Sequence, residues 1–287
     1  MKRYLVFLFF SLSLVLSGQS INLISSDDIP GIQVVRSDTF SDQNPGRYLG
    51  ERLNLCVEYG FQRLLVVEYM YNTDRVRMET FIMEDGPSAF GLYSVSNTGC
   101  VFWKLFSTFS CAGQNNLIAS IGPLFINIIN LSKTAGAKQL SEQMMQIMIN
   151  KNPQESWYLP PLFQHPKVVP YFNSLKYMEG PTGISQGAPQ LTELLENLQF
   201  KCYSVRITAR SYTGILARIE YPDFNSMSSF VIQAGLNTSD AATPIMAMNG
   251  MYRSWYKISD TKLIYLECSS SELKLTDIIP EKPTPMY

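Results

Sequence analysis

Four glutamates, Glu58, Glu68, Glu79 and Glu84, gather around one short stretch of the chain. Glycoside hydrolysis needs two carboxyl groups held roughly 5 to 10 Å apart across a cleft, and Glu58 with Glu79 is the least implausible such pair. Glu79 also has a plainer reading. It shares one side of a strand with Arg75 and Arg77, the pattern of a solvated face carrying cross-strand ion pairs. The one histidine, His165, precedes Pro166, which excludes multi-histidine zinc sites and reads as a surface-loop histidine with no nucleophile elbow to serve. Ser271-Glu272-Leu273-Lys274 and Lys133-Thr134-Ala135 faintly match the motifs of penicillin-interacting enzymes, but in reversed chain order. Gly183-Ile184-Ser185-Gln186-Gly187 lacks the lysine and the preceding strand of a phosphate loop. No cofactor is expected.

A second kind of chemistry is possible in the aromatic run Trp157, Tyr158, Tyr171, Phe172 and Tyr177. These rings could form a stacking platform for a sugar or peptide, or they could be buried to pin two parts of the fold together. Five cysteines, Cys56, Cys100, Cys111, Cys202 and Cys268, leave at least one thiol unpaired in an oxidising compartment, and none stands in a Cys-x-x-Cys pair. Cys100 and Cys111 bracket a short segment whose closure would contribute about 2 to 3 kcal/mol. The alternative is five buried thiols acting as small hydrophobes.

These residues must be positioned by strands and short helices. Residues 64–70 and 75–83 read as two strands around the turn Tyr71-Asn72-Thr73-Asp74, and Asp85-Gly86-Pro87-Ser88 starts a helix through 89–94. Strands follow at 117–121 and 124–131. Ala137, Leu140, Met144, Ile147 and Met148 recur at helical spacing, so 137–150 is a helix with its methionines in the core. Beyond a Pro- and aromatic-rich connection, a short helix at 191–198 precedes strands at 201–209 and 213–221. A helix bearing Phe230 and strands near 245–248, 254–258 and 262–268 complete the pattern. Each half reads strand, strand, short helix, strand, strand. The expected fold is therefore α+β, with two related subdomains, each a mainly antiparallel sheet with one or two packed helices, derived from an internal duplication. The expected boundaries are an N-terminal extension at 21–44, a first subdomain at 45–152, the connection at 153–189, a second subdomain at 190–279 and a polar tail at 280–287.

The first 20 residues have a short positive head, Lys2-Arg3, an apolar run from Leu5 to Leu16 and small residues up to Ser20. This is the pattern of a cleavable secretory signal, too short to span a bilayer, so no transmembrane span is expected after its removal. Gln19 stands where a lipid-bearing cysteine would be needed, so the expected product is periplasmic or secreted and not lipid-anchored. Without Lys2 and Arg3 the chain holds 21 basic and 24 acidic residues, which gives no electrostatic reason to bind nucleic acid.

Tyr59-Gly60-Phe61, the Val67-Glu68-Tyr69 strand, Met78-Glu79 with Phe81 and Met83, and Ala89-Phe90-Gly91-Leu92-Tyr93-Ser94 occur in that order, followed later by Leu159-Pro160-Pro161. This series resembles an uncharacterised family of exported bacterial proteins, known as a domain of unknown function. The resemblance spans most of residues 45–270 and implies an extracytoplasmic α+β protein with no assigned activity. Three roles are open from the sequence: a non-catalytic binding or accessory envelope protein, a carboxylate-dependent exported hydrolase, and an interaction module of a cell-surface assembly.

Overall fold

The computed structural model describes residues 21–45, 48–102, 109–152, 159–236, 245–247 and 249–279. The export segment, the polar tail, Trp157 and Tyr158 lie outside the described residues. The first half runs β1 (Gln33–Ser41), α1 (Arg52–Glu58), β2 (Phe61–Tyr71), β3 (Asp74–Met83), α2 (Gly86–Ser96), β4 (Val101–Phe102), β5 (Ser110–Ala112), β6 (Asn116–Ile121), β7 (Leu124–Asn130) and α3 (Ala135–Lys151). After two three-ten turns the second half runs β8 (Lys176–Met178), α4 (Pro181–Gly187), α5 (Thr192–Leu195), β9 (Lys201–Thr208), β10 (Thr213–Glu220), α6 (Phe224–Gln233), β11 (Ile245–Met246), β12 (Tyr252–Ser259) and β13 (Lys262–Cys268).

The strands form two antiparallel sheets, ordered β1-β2-β3-β7-β6-β5-β4 and β11-β12-β13-β10-β9-β8. Read from β1 and from β8, the first six positions correspond strand for strand, and α2 and α6 each follow the second strand of a hairpin. The protein is thus α+β with two related subdomains. Local chemistry agrees in both: the Asp85 side chain accepts from the Ser88 amide at 2.8 Å to cap α2, and Asp223 accepts from the Ser226 amide at 2.8 Å to cap α6. Thr134 caps α3 through the Ala137 amide. In the β2–β3 turn Asn72 takes φ 53°, a left-handed conformation that asparagine tolerates well.

Helix α2 is buried from Ser88 through Val95 because it lies between the two sheets. One side meets β3, β6 and β7, and the other meets β8 and α4. Phe90, Leu92 and Tyr93 are almost fully covered, each contributing on the order of 2 kcal/mol. The resulting core is shared by both sheets. A second core fills the other face of the first sheet, where Leu140, Met144, Met145 and Met148 of α3 join Ile24, Ile29 and Ile32. Lys151 fastens that N-terminal segment through Asp28 at 2.6 Å.

Two segments outside the expected subdomains carry structure. The extension 21–44 supplies an edge strand of the first sheet and part of a core, and the connection 153–189 supplies β8, an edge of the second sheet, and α4, which packs on α1, α2 and β8. Neither had a readable signal: β1 is largely exposed on both faces and shows no apolar alternation, while β8 is three residues long. Among the described residues, no helix is long and apolar enough to cross a membrane.

Candidate functional site

Helix α1 ends at Glu58, and the next residue, Tyr59, enters the space between the sheets. The Glu58 carboxylate accepts from the backbone amides of Thr182 at 2.8 Å and Gly183 at 2.6 Å. The Tyr59 hydroxyl, fully buried, donates to the Tyr177 carbonyl at 2.6 Å. Burial, with Glu58 and Glu179 nearby, pushes its ionisation well above the ordinary tyrosine range. Glycines make the approach possible. A Cβ on Gly91 would lie 2.2 Å from Tyr59 Cε1, and one on Gly183 would lie 2.6 Å from the Tyr59 hydroxyl. Ser94 completes the joint, accepting from the Tyr177 amide and donating to the Gly91 carbonyl. The Tyr-Gly-Phe and Ala-Phe-Gly-Leu-Tyr-Ser segments are therefore two sides of one contact between α1, α2, β8 and α4.

Glu79 is 2% exposed, which corrects its reading as part of a solvated face. Alternation does place it with Arg75 and Arg77, but further along the same side come Phe81 and Met83, and the face passes under cover between them. Its Oε1 accepts from the Tyr48 hydroxyl at 2.5 Å, and its Oε2 accepts from Arg52 Nη1 and Asn127 Nδ2, each at 3.0 Å. Arg77 Nε stands 3.7 Å from Oε1. Glu68, half-buried on β2, pairs with Arg75 at 2.9 Å. Both oxygens of Glu58 and both of Glu79 are thus committed to groups of the chain itself, and a general acid needs a proton free to meet a substrate. Glu79→Ala should cost about 3 kcal/mol, the low end for breaking a buried pair, because Arg52 is half exposed. Urea unfolding checks this, and Glu79→Gln should lose less.

The second subdomain has its own buried carboxylate, missed in the sequence: Glu267 accepts from Arg253 Nε at 2.6 Å and from the Tyr265 hydroxyl at 2.9 Å. Its β13 position amid apolar residues hides the partner, which lies on the neighbouring strand β12.

The described members of the aromatic run face inward. Tyr177 is 1% exposed, with its ring centroid 4.4 Å from that of Tyr203; Phe172 stacks on Phe109; Tyr171 packs half-buried against the shared core. A stacking platform needs an open ring face, which Tyr177 lacks. Beside Tyr203 and the edge of the otherwise covered Tyr177 lies a cavity of about 230 Å³, lined also by Pro87, Pro160, Lys201, Arg218 and Glu220. Its charges are internally matched: Arg218 meets Glu220 at 2.7 Å, Lys262 meets Glu220 at 3.0 Å, and Lys201 is 3.7 Å from Glu179.

Cys100 and Cys111 are joined as a disulfide with Cα atoms 5.5 Å apart, while Cys56, Cys202 and Cys268 are buried free thiols. Burial pushes the Cys56 thiol up to about 12 and Cys202 higher still, so neither is a nucleophile. Gly183-Ile184-Ser185-Gln186-Gly187 needs a correction, since its letters do fit the Gly-x-Ser-x-Gly nucleophile elbow. Ser185 lies inside α4, not on a strand-to-helix turn, and donates to the Thr182 carbonyl at 2.9 Å. His165 accepts at Nδ1 from the Lys167 amide. Thr134 of the Lys-Thr-Ala segment is a helix cap. Among the described residues, no group of three or more His, Cys, Asp or Glu could hold a metal ion.

No family model matches the chain, and no curated protein matches it. Solved structures of a protein named TP0453 are similar at low identity. Its crystal form III is 14% identical, covering 86% of this chain and 93% of that one, with a TM-score of 0.25. Crystal form I is 11% identical, covering 84% and 90%, also with a TM-score of 0.25. A likeness at that score carries no argument about fold or role.

Proposed function

We propose that the chain is an exported, non-catalytic binding or accessory protein of the bacterial envelope, belonging to the uncharacterised family its motifs resemble and built by duplication of one strand–strand–helix–strand–strand unit. One observation carries the non-catalytic reading: the two glutamates best suited to acid–base work have every carboxylate oxygen engaged by the protein. The export reading is supported by residues 1–20, and the duplication by the matching strand orders. The Tyr-Gly-Phe and Ala-Phe-Gly-Leu-Tyr-Ser motifs serve as architecture in this reading, which accounts for a family signature without catalytic spacing.

The test has two parts. The chain is expressed in a Gram-negative host with its own leader, recovered from the periplasm or medium, and sequenced at its N-terminus; cleavage between residues 17 and 21 is expected. The same preparation is incubated with panels of glycans, peptides and esters and assayed for products. Retention of the leader in the cytoplasm would contradict export. Product release that disappears on Glu79→Gln with the fold intact would establish the hydrolase instead.

A further inference from the structure

Among the described residues the two sheets have four edges, and three of them are short: β4 and β11 have two residues each and β8 has three. The fourth, β1, runs nine residues from Gln33 to Ser41, and among the described residues no strand pairs with its outer side. Long open edges invite a further strand, and proteins usually blunt them with proline, lysine, bulges or brevity. β1 contains neither proline nor lysine, and it exposes Val34 at 57% and Val35 at 48%. Its protective features are the charges of Arg36 and Asp38, which neutralise one another, and a register shift between Val34 and Arg36, which twists one end and leaves the other open.

The charges on β1 point to what it pairs with. Arg36 and Asp38 lie on one face, two residues apart, and in the described structure they bond to each other at 2.6 Å while remaining 66% and 32% exposed. An antiparallel pair formed about a twofold axis through Ser37 sets Arg36 of each copy opposite Asp38 of the other. The edge is therefore complementary to itself, and an isologous contact of this kind closes with two chains. We infer that β1 is a dimerisation edge, at which two copies of this chain join their seven-stranded sheets through Ser37-centred antiparallel pairing. This inference stands independently of whether the protein is catalytic.

Sedimentation velocity of the mature chain over a range of concentrations reads the result directly. Wild type should show concentration-dependent dimers. Arg36→Asp and Asp38→Arg should each weaken dimerisation at least about tenfold, because each sets two like-charge pairs across the axis. The double reversal R36D/D38R should restore it. Ser37→Cys should give a disulfide-linked dimer on mild oxidation, since directly opposed residues of an antiparallel pair stand about 4.5 to 5.5 Å apart. The buried thiols of Cys56, Cys202 and Cys268 leave wild type as an uncrosslinked control. All of these positions are exposed or half-buried, and circular dichroism confirms that each variant folds. A wild type that stays monomeric while S37C stays uncrosslinked would overturn the inference. So would a dimer indifferent to both single reversals, or capture of β1 by a strand of another protein with no self-association.

Discussion

Gly91→Ala should destabilise the protein by about 3 kcal/mol or more, the upper part of the range for overpacking a closed core. The added methyl would meet Tyr59 Cε1 at 2.2 Å, Tyr59 Cδ1 at 2.6 Å and Tyr177 Cδ1 at 2.9 Å. Neither ring has room to retreat: Tyr59 is fully buried with its hydroxyl bonded to the Tyr177 carbonyl, and Tyr177 packs against Tyr203. The strain therefore falls on the joint between the sheets, and both subdomains should lose stability together. A fall in melting temperature on the order of 10 °C corresponds to that free energy in a chain of this size. Introducing Gly91→Ala into a Tyr59→Leu background should cost much less, because the smaller side chain vacates the collision. Equal costs in the two backgrounds would mean that Tyr59 and Gly91 do not share a contact.

A second large effect is expected in alkali. Burial, in each case the leading cause, raises the ionisation of Tyr59, Tyr177, Tyr203, Tyr221 and Tyr265 above the ordinary tyrosine value. The folded chain keeps these protons at a pH where the unfolded chain gives them up, near 10. Their stabilising contribution is complete below about 10 and is lost as pH rises beyond it. Each such tyrosine removes about 1.4 kcal/mol per pH unit, so five acting together would unfold an ordinary domain within roughly two units. Lys176 acts in the opposite sense. Burial, then the charge of Arg206, pushes it down to about 8, while its Nζ donates to the Ser94 carbonyl and to Asn97 at the end of α2. Between about 8 and the ordinary lysine value near 10.4 the unfolded chain binds the extra proton, so this group adds stability as pH rises. Urea midpoints should therefore hold or climb between pH 8 and 10 and then collapse, and Lys176→Met should remove the climb. Phenolate absorbance should rise in step with unfolding. Gradual tyrosine titration near pH 10 with the fold retained would show that the rings are accessible.

How much of this was readable in the sequence depended on whether a residue's neighbours lie close along the chain. The β2–β3 hairpin, the capped start of α2, the α3 stripe and the β9–β10 pair all carry their signals within a dozen residues, and all stand where the spacing placed them. The joint does not. Tyr59, Gly91, Tyr177 and Gly183 meet across more than a hundred residues, so their close packing left only uncommon letters in the sequence. Residues 181–187 fell within the Pro- and aromatic-rich connection, yet they form α4, where Gly183 is needed because Tyr59 and Glu58 fill the space of a side chain. Glu79 was misplaced for a related reason: strand alternation fixes which side a residue takes, whereas only α1 and Tyr48 determine that this side is covered.

The non-catalytic reading is tested most directly by following melting temperature and product release together on one preparation of Glu58→Gln. A glutamine there sets an NH2 group against the Thr182 or Gly183 amide in place of an acceptor. The expected result is a lower melting temperature, with no product from glycans, peptides or esters in either wild type or variant. Turnover by wild type that vanishes in Glu58→Gln at an unchanged melting temperature would contradict it.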